Sequence, residues 1–128
     1  MSGAARAGWW LLGVFYLAAG LNHFRDPGFY APMMPPALPA PDALVGLSGA
    51  AEIGLGLAAL VLGHVATLRR AIAWGVIALL VAVFPANLHI AFANVPLGGA
   101  REGAGILNWV RLPFQALLVA WAWIYTRR

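Results

Sequence analysis

The sequence predicts an all-α, polytopic membrane protein: one domain, residues 1–128, folded as a bundle of four transmembrane helices. Three observations lead there. Hydrophobic residues make up 62% of the chain and charged residues 9%, with a mean hydropathy of +0.82, whereas an ordinary soluble domain carries roughly 25% charged residues. Four apolar stretches fill the chain between short breaks bearing Pro, Gly or Arg, and each has the roughly 20 residues that a helix needs to cross a bilayer. The few polar residues inside those stretches fall towards one end of the implied bundle, which marks that end as a candidate site.

The same numbers exclude other classes. Four spans of about 20 residues each leave room for little but short loops in 128 residues, so no soluble catalytic domain fits beside them, and soluble machinery would have to come from partners. The net charge of +4 comes from eight Arg and no Lys, set singly or in pairs at the ends of apolar runs. They read as topology signals, not as a nucleic-acid surface. The absence of cysteine excludes disulfides, thiolate metal sites and thiol–disulfide relays.

The expected spans are residues 7–24, 43–62, 71–93 and 107–125. Arg6 before the first apolar run also fits a secretory signal, but polar Asn22 and His23 follow directly, and a retained helix is expected. Loop one, Arg25 to Asp42, interleaves Pro27, Pro32, Pro35, Pro36, Pro39 and Pro41 with Phe29, Tyr30, Met33, Met34 and Leu38. It is too apolar for a solvated linker and too rich in proline for a regular helix, so it is either an interfacial lid or a stiff spacer. Asp42 can cap the second helix. Gly46, Ala50, Gly54 and Ala58, at i, i+4 spacing, suggest a smooth ridge on which another helix packs. Trp9, Trp10, Trp121, Trp123 and Tyr125 read as interfacial anchors. Loop two, Asn94 to Ile106, is glycine-rich.

With both termini on one face, that face holds Arg6, Arg69, Arg70, Arg127 and Arg128, against Arg25, Arg101 and Arg111 opposite. The positive-inside rule then places the termini in the cytoplasm of a bacterial cell with the chain in its cytoplasmic membrane.

At about 1.5 Å rise per residue, Glu52 lies about 14 Å below the outer end, Gln115 about 12 Å, Asn87 about 9 Å, and His89 and Arg111 about 6 Å. Asn22 and His23 sit at the rim, and Ser48 lies one turn from Glu52. These eight residues form the candidate ligand-binding set, with Glu52 the candidate for proton transfer. A carboxylate at that depth must face protein, water or ligand; the alternative role for Glu52 is structural glue. Arg111 can reach Glu52 directly, or through Gln115 or water, and Asn108 shares its helix face. Pro85 and Pro113 free the carbonyls of Val81 and Trp109, as a neighbouring cavity or side chain would allow. No ligand spacing such as His-x-x-x-His occurs, so no metal site is expected.

Gly20-Leu-Asn-His-Phe24 with Pro27, Ser48-Gly-Ala-Ala-Glu52, Val83-Phe-Pro-Ala-Asn-Leu-His89 and Arg111-Leu-Pro-Phe-Gln115 together resemble the DoxX family of small four-helix membrane proteins. That resemblance implies the same topology and an association with quinone-linked oxidation.

Two functional readings follow. In one, the chain is the membrane subunit of a quinone-linked redox complex: the pocket holds a quinone headgroup and a soluble redox partner supplies electrons. In the other, it is a noncatalytic membrane protein that binds a lipid or apolar small molecule, or a scaffold. The bilayer, a redox partner and further copies of the chain are the candidate partners, and nucleic acid is not among them.

Overall fold

The computed structural model describes residues 1–97 and 100–128, and among these the chain is all-α. Helix α1 spans Gly3–Arg25, α2 is a single turn at Pro27–Tyr30, α3 spans Pro41–Leu62, α4 Ala66–Phe92 and α5 Ile106–Tyr125; a 3₁₀ turn, Ala31–Met33, follows α2. Helices α1, α3 and α4 are long and apolar enough to cross a membrane. Helix α5 has 20 residues but carries Asn108, Arg111 and Gln115, which dilute its apolar character. Many large side chains face outwards, among them Leu11, Val14, Leu47, Val61, Val81 and Leu117, as helices surrounded by hydrocarbon would present them.

The four long helices run alternately up and down. At one end the start of α1 meets the ends of α3 and α5: Trp9 Nε1 donates to the Ala59 carbonyl at 2.9 Å, and Tyr125 Oη donates to the Ala5 carbonyl at 2.8 Å. The tight α3–α4 turn is held at this end by Arg69, which donates to the Gly63 carbonyl at 2.8 Å and satisfies an acceptor that the end of α3 leaves open. Trp9 and Tyr125 are only 2% and 3% exposed and pack edge to face with centroids 5.0 Å apart. They are clamps inside the bundle, not the interfacial anchors expected from sequence. Trp10 and Trp123 do face outwards, and Arg127 lies over the Trp123 ring.

The closest helix pair is α1 with α3, and glycine makes it so. A β-carbon on Gly20 would stand 2.7 Å from the Gly49 carbonyl oxygen, and one on Gly56 2.5 Å from the Leu17 nitrogen. Small residues let backbones approach where the surrounding lipid gives no hydrophobic drive to associate. The packing ridge is thus Gly49 and Gly56, not the expected Gly46, Ala50, Gly54 and Ala58. At Gly46 and Gly54 a β-carbon would meet nothing, because that face of α3 points away from α1. Helices α1 and α5 meet through rings instead, Phe15 with Phe114 and Trp9 with Tyr125.

At the other end, α2 and the 3₁₀ turn fold over the bundle. Met33 is buried with Ile90 and Val95, and Phe29, Tyr30 and Leu97 pack around them. Of the lid and the spacer, the lid is what is observed. Asp42 does not cap α3: the cap position is Ala40, in the left-handed region, with no side-chain hydrogen bond, and Pro41 opens the helix. Asp42 lies in the first turn, where its charge complements the helix dipole. In loop two, Asn94 Oδ1 accepts from the Gly105 amide and Asn108 Nδ2 donates to the Val95 carbonyl, both at 2.9 Å. The loop's Gly98 and Gly99 lie outside the described residues.

The two ridges separate cleanly by substitution. Gly56→Ala should destabilise the protein by about 1–3 kcal/mol through overpacking, while Gly54→Ala should stay within about 0.5 kcal/mol of wild type. Unfolding in detergent micelles measures both, and equal losses would overturn the assignment of the α1–α3 contact.

Candidate functional site

A cavity of about 220 Å³ lies between the four long helices at the end remote from the arginine pairs, beneath the lid. Its wall holds six of the eight residues expected from sequence: His23, Ser48, Glu52, Asn87, Arg111 and Gln115. Each long helix contributes to it. On α1 the buried positions Trp9, Leu12, Tyr16, Gly20 and His23 recur at three- and four-residue spacing, and this stripe ends at the cavity. On α5 the buried positions are Asn108, Gln115, Leu118, Ala122 and Tyr125, so Gln115 points inwards while Phe114 and Leu117 are exposed.

Glu52 sits against His23, with Nδ1 3.1 Å from Oε2. The same nitrogen lies 2.8 Å from the Ala19 carbonyl. A carbonyl oxygen can only accept, so Nδ1 carries the proton and donates to Ala19. Glu52 Oε2 is left in contact with the ring but buried and without a hydrogen-bond partner among the described residues. Of the couplings expected between Glu52 and Arg111, direct or through Gln115 or water, the direct ion pair is not formed: the close α1–α3 contact brings His23 to Glu52, while Arg111 lines the cavity from α5 with no ion-pair partner among the described residues.

On the α4–α5 side, Asn87 Nδ2 donates to Gln115 Oε1, and Gln115 Nε2 donates to the Leu80 carbonyl at 2.9 Å. Leu80 adjoins Val81, whose carbonyl has no N–H to accept because residue 85 is proline. Gln115 therefore cross-links two helices beside the proline break.

Asn22 stands behind the wall. Its Nδ2 donates to Tyr30 Oη at 2.6 Å and its Oδ1 accepts from Arg25 Nε at 3.1 Å. It acts on the cavity through Tyr30, whose ring stacks on His23 at 3.8 Å between centroids and 15° between planes. His89 does not reach the cavity. It lies two residues beyond Asn87, about 200° further round the helix, and so looks away from the space that Asn87 lines. Asn108 is fully buried but serves loop two.

The sequence reading missed Tyr16 as a site residue. It is 3% exposed, lines the cavity, and its hydroxyl has no hydrogen-bond partner among the described residues. Its position one turn before Gly20 on the buried stripe was the available signal. A lone tyrosine in an apolar helix gives no other.

The fold and the cavity define a class: a small helix bundle, three of whose helices are long and apolar enough to cross a membrane, around a chamber that bears polar side chains beneath a lid. The chain belongs to the family described as a domain of unknown function (DUF8561), whose model matches residues 12–126. This overturns the DoxX membership suggested by the four short motifs. Asn, His, Glu, Gln and Pro set into apolar helices are common answers to the same packing and hydrogen-bonding demands, so their order carries less family information than the motifs suggest. No curated protein and no solved structure matches the chain.

Gln115→Leu removes a donor from the Leu80 carbonyl and an acceptor from Asn87, and should cost about 1–3 kcal/mol. A double-mutant cycle with Asn87→Leu should show coupling of at least about 0.5 kcal/mol in unfolding. Strict additivity would exclude the Asn87–Gln115 link.

Proposed function

We propose that the protein is a four-span membrane protein, with both termini in the cytoplasm, that binds the head of an amphipathic, lipid-soluble molecule in the chamber lined by Tyr16, His23, Ser48, Glu52, Asn87, Arg111 and Gln115. One observation carries this reading: two buried polar atoms, Glu52 Oε2 and Tyr16 Oη, lack partners on the wall of a chamber with room for a small polar group. An unsatisfied buried polar group costs about 1–3 kcal/mol, more when charged, and a carboxylate within a membrane helix marks a functional site by default.

The reaction in the quinone-linked reading came from the family resemblance, and membership of a different family removes that support. The binding reading rests on the residues themselves. It needs no electron donor and no soluble partner.

The fourth span is supported by the register of α5. Its polar residues Asn108 and Gln115 are buried, while Leu107, Val110, Phe114, Leu117 and Ile124 form the outward face, so the face that would meet lipid is apolar. The orientation is supported by Arg6, Arg69, Arg70, Arg127 and Arg128, which the up-and-down arrangement gathers at one end. That orientation in a bacterial cytoplasmic membrane puts the chamber in the outer half of the bilayer.

The cysteine-free chain suits single-cysteine labelling. Glu102→Cys should react with an impermeant maleimide in intact cells, and Ser2→Cys should react only after lysis. The reverse pattern would invert the orientation.

For the binding reading, native mass spectrometry of protein extracted with its lipids should reveal a retained small amphiphile. Glu52→Gln and Arg111→Met should each lower its occupancy about tenfold, which is about 1.4 kcal/mol. Unchanged occupancy in both variants, with melting temperatures near wild type, would reject the chamber as the binding site.

A further inference from the structure

Beside the chamber lies a second, larger space of about 450 Å³ between α3 and α4, walled by Leu44, Leu47 and Ala51 from one helix and Ala82, Val83 and Pro85 from the other. Small side chains at 51 and 82 leave the groove unfilled. Its mouth lies on the outward surface, where Leu47 is largely exposed, and Ser48, Leu79 and Ala86 belong to both spaces. The two therefore adjoin across these shared residues: a chamber bearing polar side chains inside the bundle, and an apolar trough beside it that opens on the outward surface.

The chamber's unmet hydrogen-bonding capacity is of two kinds. Glu52 Oε2 can accept but has no hydrogen-bond partner among the described residues, His23 Nδ1 lying 3.1 Å away with its proton directed to the Ala19 carbonyl. Arg111, which can only donate, has no acceptor among the described hydrogen bonds and ion pairs, and Tyr16 Oη adds a free donor. A head with acceptors alone leaves Glu52 unmatched, and a head with donors alone leaves Arg111 unmatched. A quaternary ammonium head has no N–H to give. The head that completes the chamber carries an N–H or O–H donor beside an anionic acceptor.

We propose that the occupant is a phospholipid-type amphiphile with a small head bearing a hydrogen-bond donor next to a phosphate, the donor directed to Glu52, the phosphate to Arg111 and Tyr16, and one hydrocarbon chain lying in the α3–α4 groove. This rests on the chamber being a binding site, and it adds the head chemistry and the place of the chain. An ethanolamine head and a glycerol head both supply the donor and the phosphate, the first through an ammonium and the second through hydroxyls. The groove lets the head enter sideways from the bilayer while the tail stays in an apolar medium throughout, so no hydrocarbon is exposed to water on binding.

The test uses the full chain in phosphatidylcholine nanodiscs containing a minor fraction of phosphatidylethanolamine or of phosphatidylglycerol, with retained lipid counted by native mass spectrometry after gentle release. One or both of the minor lipids should be enriched about tenfold over their share of the disc, and the one preferred identifies the donor as ammonium or hydroxyl. Equal retention of phosphatidylcholine overturns the donor requirement. Ala82→Trp, which fills the groove, should abolish the enrichment, whereas Val81→Trp, at an exposed position of the same helix that lines neither space, should preserve it. Should Ala82→Trp misfold, short- and long-chain phosphatidylethanolamines compared on the wild type take its place, and retention independent of chain length overturns the groove assignment. Enrichment that is lost in Glu52→Gln but indifferent to Ala82→Trp rejects the groove and leaves the chamber standing. Enrichment indifferent to Glu52→Gln and Arg111→Met rejects the chamber, and this proposal with it.

Discussion

The close approach of α1 to α3 is the constraint on which the rest of the structure depends. Gly20, Gly49 and Gly56 remove the side chains that would hold the two backbones apart; a β-carbon at any of them would fall within 2.7 Å of an atom of the other helix. In an apolar solvent this contact draws on dispersion and on close backbone approach, not on burial from water. It also sets the chemistry. Seating Gly49 against α1 brings Glu52, nearly one turn on, to the ring of His23, and turns the only acidic residue in the interior of an apolar stretch away from hydrocarbon. Packing and site are consequences of one helix contact.

The chamber forms because the opposite seam is built differently. Helices α1 and α5 are joined by aromatic rings, tightly at the Trp9–Tyr125 end and more loosely at Phe15–Phe114, where the centroids are 6.3 Å apart. Helix α4 closes the ring through the Asn87–Gln115–Leu80 cross-link. What remains between a glycine seam and an aromatic seam is a space whose largely apolar wall carries His23, Ser48, Glu52, Asn87, Arg111 and Gln115. The lid then covers it with Tyr30, Met33 and Met34, and Tyr30 is itself fixed between Asn22 and His23. Proline-rich backbone is suited to this place: it cannot extend a helix into the bilayer, and it needs fewer hydrogen-bond acceptors at the interface.

Much of this was legible in the sequence, for identifiable reasons. Apolar run length locates α1, α3 and α4 to within a few residues, because a bilayer imposes one length on every helix that crosses it. Depth along each run put His23, Ser48, Glu52, Asn87, Arg111 and Gln115 in one half of the bundle, at depths from the rim to about 14 Å, and all six line one cavity. What depth does not supply is azimuth. His89 shares the level of Asn87 but not its face, the Gly46–Ala58 ridge shares a helix with Gly49 and Gly56 but not their side, and the partner of Glu52 depended on which helix lies beside α3. Trp9 and Tyr125 illustrate the same limit, since a tryptophan near a helix end is an interfacial anchor or an internal clamp according to the direction it points. Where every face of a helix is apolar, periodicity carries little information on that direction. Tyr16 went unnoticed for this reason: its neighbours on the helix are apolar whether they face lipid or core.

Helix α5 is the exception, because its faces differ, and that difference bears on how the bundle can assemble. Asn108 and Gln115 would each be costly in hydrocarbon if α5 stood alone. In the folded protein Asn108 Nδ2 donates to the Val95 carbonyl while its Oδ1 has no hydrogen-bond partner among the described residues, and Gln115 pairs with Leu80 and Asn87, all partners supplied by α4 or the loop that follows it. These bonds tie α5 to α4, and as the proposed fourth span α5 would keep these amides against α4 and away from lipid. Arg111 is the residue this pairing leaves over, with no carbonyl or carboxylate partner among the described residues. Gln115 is bonded through both ends of its amide to α4, whereas the guanidinium that α5 delivers to the chamber wall is not, and that is the contact the proposed anionic head would supply.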